Sequence, residues 1–205
     1  MASEALVYVV DDDDAMRDSL AFLLGAAGFT VHVFDSAPSF LAALPNGQSG
    51  CLVTDVRMPG MDGIELLKRV KHANPRLSVV IMTGHGDVPL AVEAMKLGAL
   101  EFIEKPFEDE RLVETIRAAL TGAADAAHGE AATAQMTARI ESLSPRERQV
   151  MQGLVEGLSN KAIARDYDIS PRTVEVYRAN LMTKMQAANL SELVRMAMRA
   201  GLLKD

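Results

Sequence analysis

Carboxylates, a hydroxyl and an ammonium group follow apolar runs of this sequence in an order that suits phosphoryl chemistry. The run LVYVV leads directly into four aspartates, Asp11–Asp14, and the run CLVTDV contains Asp55. Thr83 ends the run SVVIMT, and Lys105 ends EFIEK just before a proline. A carboxylate nucleophile, oxygen ligands for Mg²⁺, a hydroxyl donor and a cation together form a set that could accept a phosphoryl group.

Each of these residues also has a simpler interpretation. A block of like charges is usually a solvated loop or a helix start, and a lone threonine or lysine after a strand is usually a turn residue. We interpret Asp13 and Asp14 in this way, as charges at a helix start. The other residues are predicted to converge at one edge of a sheet, and that convergence favours the chemical interpretation.

The elements that would position these side chains alternate along the first part of the chain. Short β-branched runs at 6–10, 31–34, 51–56, 78–83 and 101–105 indicate five strands. Between them, apolar residues recur at the spacing of amphipathic helices, as in GIELLKRVKHA. This order predicts an α/β fold, a doubly wound five-stranded parallel sheet. In such folds ligands bind at the carboxyl ends of the strands.

Charge divides the 205-residue chain into three segments. Residues 1–122 carry a net charge of −8 and residues 142–205 a net charge of +3, although the whole chain has −7. The segment 123–141 is rich in alanine and carries −2, so we predict a partly helical linker. The acidic total therefore does not exclude nucleic-acid binding by the C-terminal part.

Several protein classes are excluded by composition. Cys51 is the single cysteine, which rules out an intramolecular disulfide framework and a zinc site of several thiolates. It also favours a reducing, cytoplasmic setting. We expect no signal peptide, because the N-terminus has no basic segment ahead of an apolar stretch of about 7–15 residues. We expect no membrane partner, because no apolar run reaches the roughly 18 residues of a membrane span.

The basic segment 142–205 has the signals of four short helices. Ser144-Pro145-Arg146-Glu147 predicts a capping box, Ser159 and Ser170-Pro171 predict two further helix starts, and Ser191 a fourth. The central pair would form a helix-turn-helix in an all-α domain. A small bundle that only binds protein is the simpler alternative. Cations on the central pair favour contact with DNA phosphates; they are Lys161, Arg165, Arg172, Arg178 and Lys184.

The motifs VVDDD, TDVRMPGMDG, MTGHG and EKPF resemble, in this order and spacing, the receiver domain of two-component response regulators over about residues 5–122. The resemblance implies a flavodoxin-like receiver in which Asp55 accepts the phosphoryl group. It implies that Lys105 pairs with the acyl phosphate across a cis bond to Pro106. Thr83 and Phe102 would form a switch. The implied Mg²⁺ ligands are Asp11, Asp12, Asp55 and the backbone carbonyl of Arg57.

The stretch LSPRERQVMQGLVEGLSNKAIARDYDISPRTVEVYRANLMTKM is similar to the LuxR-type DNA-binding domain over about 142–204. The resemblance implies a recognition helix at about 171–184. Glu175 and Tyr177 stand where relatives often have lysine and histidine, so Glu175 would accept a hydrogen bond from cytosine or orient an arginine. The implied DNA contacts are Lys161, Arg172, Thr173, Glu175, Val176, Arg178 and Lys184.

Together the two domains resemble the NarL/FixJ subfamily, and within it the nitrogen-fixation regulators of rhizobia. The resemblance implies a FixL-like sensor histidine kinase, promoter DNA and RNA polymerase as partners, with activation of nitrogen-fixation genes under low oxygen. A phosphorylated homodimer is also implied. Val92 and Lys96 lie on the predicted pairing face.

Two other functions use some of the same residues. A phosphatase of the haloacid type also places aspartates and Mg²⁺ at strand ends, but it needs a second acid where this chain has Arg57. A constitutive DNA-binding regulator would typically have lost one of the acids or the lysine. We therefore predict a regulator that is not an enzyme beyond its own phosphorylation and dephosphorylation.

Overall fold

The computed structural model describes residues 5–44, 49–84, 88–121, 136 and 138–202. The chain forms two compact units, one containing the five strands and the other the C-terminal helices together with residues 88–95. None of the helices within these described residues is long and apolar enough to span a membrane.

The first unit is built on a parallel five-stranded sheet, which confirms the predicted fold class. The strands lie in the order β2-β1-β3-β4-β5. Strands β3 and β5 end one residue earlier than predicted. Their bounds are β1 Leu6–Val10, β2 Thr30–Phe34, β3 Gly50–Asp55, β4 Leu77–Thr83 and β5 Glu101–Glu104.

The helices that alternate with these strands along the chain are α1 Asp14–Ala26, α2 Ala37–Ala42, α3 Gly63–Ala73, α4 Val88–Lys96 and α5 Asp109–Leu120. Asp13 is the N-cap of α1, and its carboxylate accepts a hydrogen bond from the Met16 amide. Asp62 caps α3 in the same way through the amide of Glu65. The interpretation of Asp13 as a helix-start residue is therefore confirmed.

Burial explains why the central strands are continuous apolar runs. All six residues of β3 are buried, whereas β2 at the edge of the sheet is mostly exposed or half-buried. When helices cover both faces of a parallel sheet, the side chains on both faces of a strand are buried, so polar and apolar residues do not alternate along it. A carboxylate such as Asp55 at the end of such a strand is therefore set against a largely apolar layer.

The four helices predicted for residues 142–205 are present in the second unit: α6 Pro145–Val155, α7 Asn160–Asp166, α8 Pro171–Met185 and α9 Leu190–Arg199. The capping box of Ser144 and Glu147 is present, and Ser159 and Ser170 cap α7 and α8. The predicted start of the fourth helix at Ser191 is wrong. Asn189 caps it instead by accepting from the Glu192 amide, and Ser191 is buried inside the helix.

Most of the predicted linker, residues 123–135 and 137, lies outside the described residues. Its last residues, 138–141, are helical. Met136 and Ile140 pack against the apolar core of the second unit. The end of the predicted linker is therefore integrated into the second unit.

Candidate functional site

Lys105 joins two carboxylates at the carboxyl edge of the sheet. Its Nζ donates to Asp55 Oδ1 over 2.6 Å and to Asp11 Oδ2 over 3.0 Å. The three residues follow or end β5, β3 and β1, and all are largely buried, with side-chain exposures of 19%, 12% and 3% for Lys105, Asp55 and Asp11. The predicted convergence of these three side chains is therefore present in the structure.

The pKa of Lys105 shows how the carboxylates act on it. Burial by itself would lower this pKa, because it penalises the charged form. The hydrogen bonds and negative charges of Asp55 and Asp11 outweigh burial, and the pKa is raised above that of an ordinary lysine. Lys105 is therefore a permanent cation at the site.

Asp55 is held in place through its carboxylate and through the backbone that follows it. The Arg57 amide donates to Asp55 Oδ2 over 2.6 Å. The amide of Val56, the residue directly after Asp55, donates to Met82 O of β4 over 2.9 Å. Gly63 at the start of α3 approaches so closely that a Cβ there would lie 2.3 Å from Asp55 O. Only glycine fits this contact, so Gly63 allows α3 to pack closely against the backbone of Asp55.

Asp11 is fixed by three groups. Its side chain accepts from Lys105 and, through Oδ1, from the Asp13 amide over 3.0 Å. Its backbone carbonyl accepts from Arg17 Nη1 over 2.6 Å, and Arg17 also pairs with Asp14. Sequence reasoning missed Arg17. Its role could have been predicted from its position, because Arg17 lies one helical turn after Asp13 and Asp14 and a cation at that spacing can pair with an acidic residue.

The carboxylates fit the Mg²⁺ that receiver domains generally use. Asp11 and Asp55 already converge on one cation, the Lys105 ammonium, and Asp12 is exposed in the adjoining bend. Among the described residues, no three acidic, histidine or cysteine side chains are close enough to form a ready-made metal cluster. Mg²⁺ commonly binds through only one or two carboxylates and retains several waters, so this arrangement remains compatible with it.

The other predicted receiver residues surround this centre. Thr83 is buried at the end of β4, and its carbonyl accepts from the Lys105 amide over 2.6 Å. Phe102 is buried in β5, and the bond between Lys105 and Pro106 is cis, as the resemblance implied. On α4, Val92 is buried and Lys96 is exposed. Val92 can therefore meet a second receiver only if its surroundings change.

Helix α8, the predicted recognition helix, presents a mixed polar and apolar face. Arg172, Glu175 and Val176 are exposed, and Val176 has 56% of its surface accessible although it is apolar. Thr173 and Arg178 are half-buried, and Lys161 on α7 is exposed. The Thr173 hydroxyl lies 2.8 Å from that of the N-cap Ser170. The exposed residues have the chemistry required to contact base edges and phosphates.

Lys184 has a partner inside the second unit. Its Nζ donates to Glu147 Oε2 over 2.7 Å, and the same oxygen accepts from the Ser144 amide over 2.7 Å. The Lys184 ammonium and the capping-box contacts with Ser144 lower the pKa of the buried Glu147 carboxylate. Any contact of Lys184 with DNA competes with this ion pair. The capping-box pattern identifies Glu147, but no sequence signal connects it to Lys184.

Comparison with known proteins identifies a family for each of the two parts of the chain. The response regulator receiver domain family matches residues 7–117, and the LuxR family of bacterial regulatory proteins matches residues 141–197. The chain is 65% identical over 205 residues to the transcriptional regulatory protein FixJ of Bradyrhizobium diazoefficiens, with 100% of both chains covered. FixJ of Rhizobium meliloti is 51% identical over 195 residues, covering 95% of this chain and 96% of that one.

A solved structure of similar length is also found. Full-length FixJ from B. japonicum shares 65% identity, covers 99% of this chain and 100% of its own, and has a TM-score of 0.56. These matches confirm the resemblance that the motifs around Asp55 and in the C-terminal segment predict.

Proposed function

Since this chain belongs to the two-component response regulators with a receiver domain and a LuxR-type DNA-binding domain, we propose that phosphorylation of Asp55 controls its binding to promoter DNA. The observation that carries the proposal is the convergence of Asp11, Asp55 and Lys105 at the carboxyl edge of the sheet. The protein is a transcriptional regulator, and its receiver acts chemically only on its own phosphorylation and dephosphorylation.

In the proposed reaction, Asp55 is the nucleophile. A carboxylate oxygen forms a bond to phosphorus while the bond between phosphorus and the donor breaks, and the donor atom leaves with the electron pair. The donor is a histidine nitrogen of the kinase or the carboxylate oxygen of acetyl phosphate. Lys105, already 2.6 Å from Asp55 Oδ1, offsets the negative charge of the resulting acyl phosphate.

Asp11, Asp12, Asp55 and the Arg57 carbonyl would hold Mg²⁺ beside the reacting oxygen. When bound, the metal neutralises charge on the phosphoryl oxygens. The Asp13 amide donates to the Asp11 carboxylate and Arg17 donates to the Asp11 backbone carbonyl, so this ligand is oriented before the donor arrives.

The phosphoryl group is then read by the neighbouring switch residues. The Thr83 hydroxyl moves toward a phosphoryl oxygen, and Phe102 follows into the space behind it. The surface formed by α4 and β5, with Val92 and Lys96, then pairs with a second copy of the chain. Pairing presents two recognition helices to two half-sites, which raises DNA affinity without new base contacts.

The proposed physiological partners are those that the family resemblance implies. A FixL-like sensor histidine kinase supplies the phosphoryl group when oxygen is scarce, and the phosphorylated dimer activates nitrogen-fixation genes together with RNA polymerase. Because promoter DNA is the target, the site of action is the bacterial cytoplasm. The resemblance to FixJ over the whole chain supports this assignment.

Incubation with acetyl phosphate and Mg²⁺, followed by intact mass spectrometry, tests the proposal. Wild type should gain one phosphate and Asp55→Asn none. Asp62→Asn is the matched control, because Asn caps α3 as well as Asp does and leaves the acceptor unchanged. Labelling of Asp55→Asn as efficient as that of wild type would overturn the assignment. DNA binding that is identical with and without the phosphate would favour the constitutive regulator.

A further inference from the structure

We propose that Arg139 is a positioning residue for DNA binding, which fixes the C-terminal end of α8 to the helical segment 138–141 that precedes α6. The inference rests on the proposed function in one respect, namely that α8 is the helix that reads DNA. It assigns a role to a residue of the predicted linker that neither the motifs nor the family resemblance marks.

The guanidinium of Arg139 donates two hydrogen bonds to the end of α8. Nη1 donates to the Met185 carbonyl oxygen over 3.1 Å, and Nη2 donates to Gln186 Oε1 over 2.5 Å. The contacts span 46 and 47 residues of sequence. They are tertiary contacts that a local helix signal cannot produce.

The end of α8 has a specific need for such a partner. The Gln186 amide donates to Thr183 O over 3.1 Å and the Ala187 amide to Met182 O over 3.0 Å, which closes the last turn. Because the helix ends at Met185, its carbonyl has no amide of the next turn to pair with. Arg139 supplies that donor, and its positive charge is favourable at the negative end of the helix dipole.

Gln186 also needs a stabilising contact, because its backbone is in the left-handed region, with φ of 56°. This conformation suits glycine and is unfavourable for a residue with a longer side chain. The hydrogen bond from Arg139 to the Gln186 side chain helps to hold the residue there. The cap of α8 therefore depends on a residue that lies outside the helix-turn-helix.

Arg139 is itself well anchored. Residues 138–141 are helical, the Ser142 amide closes this turn on Ala138 O over 3.1 Å, and Ile140 packs against the core of the unit. With this anchor, the C-terminal end of α8 is held both by Arg139 and by the Glu147–Lys184 pair. The exposed residues from Arg172 to Val176 lie at the opposite end of a helix about 22 Å long. A change of tilt at the held end therefore displaces them most.

Arg139→Gln in the full chain tests the proposal, with Arg148→Gln as the matched control. Arg148 donates to the backbone carbonyls of Leu143 and Glu141, so it makes the same kind of contact close by without engaging α8. The probe is a 40-base-pair duplex, a length of about four helical turns, selected from a random library by wild type treated with acetyl phosphate. We measure affinity, its dependence on salt, and hydrogen exchange of the amides of Gln186 and Ala187.

We expect Arg139→Gln to bind the duplex about tenfold more weakly, with an unchanged salt slope and faster exchange at both amides. Arg148→Gln should match wild type in all three measurements. Affinity of Arg139→Gln equal to that of wild type would overturn the inference. A salt slope reduced by about one with unchanged exchange would also overturn it, because it would indicate a direct phosphate contact.

A second variant separates positioning from loss of folding. Gln186→Gly places the residue best suited to the left-handed cap at this position. The double variant Arg139→Gln/Gln186→Gly should recover most of the lost affinity, since the cap then no longer needs the arginine. No recovery in a folded double variant would contradict a positioning role. If wild type selects no duplex at all, the proposed DNA-binding function fails, which is distinct from failure of the inference.

Discussion

The acidic site, formed by Asp11, Asp55 and Lys105, and the predicted recognition helix α8 obtain their functional side chains in opposite ways. Lys105 bonds to carboxylates that lie 50 and 94 residues away in sequence, and all three groups are largely buried. The exposed residues of α8 come from one continuous stretch and face outward. The first site therefore depends on the whole sheet being formed. The exposed face of α8 depends on this one helix and on the contacts that fix its two ends.

The two lysine pairs give the largest contrast. Lys105→Gln removes the cation shared by Asp11 and Asp55, and we expect the rate of acetyl-phosphate labelling to fall about 100-fold. Lys184→Gln also removes a lysine from a buried carboxylate, but it should leave the labelling rate unchanged. The measurement is the initial rate of mass increase with Mg²⁺ present. Equal labelling rates for the two variants would contradict a specific role of Lys105 in phosphorylation.

Close packing at the acidic site is the next contrast. Gly63→Ala would place a methyl group 2.3 Å from Asp55 O, so we expect about 2–3 kcal/mol of destabilisation in the first unit. Gly25→Ala in α1 meets no atom of the described residues within 4 Å and should stabilise the helix by about 0.5 kcal/mol.

Cys51 offers a direct readout of this pair of variants. Its side chain is fully buried, and burial raises its pKa to about 12, so the native thiol should resist alkylation. Alkylation by iodoacetamide during urea titration therefore reports unfolding of the sheet. Equal urea midpoints for Gly63→Ala and wild type would show that the close contact at Asp55 O is relieved without cost.

For the predicted recognition helix α8, we expect a smaller effect, which should appear in the preference for DNA sequence. Glu175→Gln removes an exposed acceptor, and we expect discrimination at one base pair to change by about 1–2 kcal/mol while total affinity changes less. Glu156→Gln, on the exposed C-cap of α6, is the control. The measurement is selection from a random duplex library. A uniform change over all sequences would argue against base readout by Glu175.

The pH dependence of the second unit should show the smallest effect. The Lys184 hydrogen bond lowers the pKa of Glu147, so its stabilising effect is complete above the ordinary carboxyl pKa of 4.5 and is lost as pH falls through the lowered value. The stability advantage of wild type over Glu147→Gln should therefore shrink on acidification. Hydrogen exchange of α6 and α8 between pH 7 and about 3 measures it. An advantage independent of pH would contradict the ion-pair explanation.

The sequence allowed the sheet, the helix order and the central site to be predicted. Asp11, Asp55 and Lys105 could be placed together because parallel strands bring their carboxyl ends to one edge. The helix caps at Ser144, Ser159 and Ser170 could be predicted because capping chemistry is local. At the fourth helix, two suitable caps, Asn189 and Ser191, lie two residues apart, and only packing decides between them.

Tertiary contacts of side chains could not be predicted in the same way. The pair Glu147–Lys184 and the contact of Arg139 with Met185 join residues far apart on different elements, and no pattern in either segment specifies the partner. The burial of Val92 also depends on packing that periodicity does not encode. The contacts of Arg139 and Glu147 with α8, the predicted recognition helix, are therefore visible in the structure but not in the sequence.

The contact between α6 and α7 has a consequence for how this unit can vary. Gly153 lies so close to Ile163 that an added Cβ would come within 2.6 Å of Ile163 Cγ1, although this obstacle is a side chain and not backbone. Positions 153 and 163 therefore share one fixed volume. A larger residue at the first position is compatible with the fold only together with a smaller one at the second. Libraries of functional variants should show the two positions changing together.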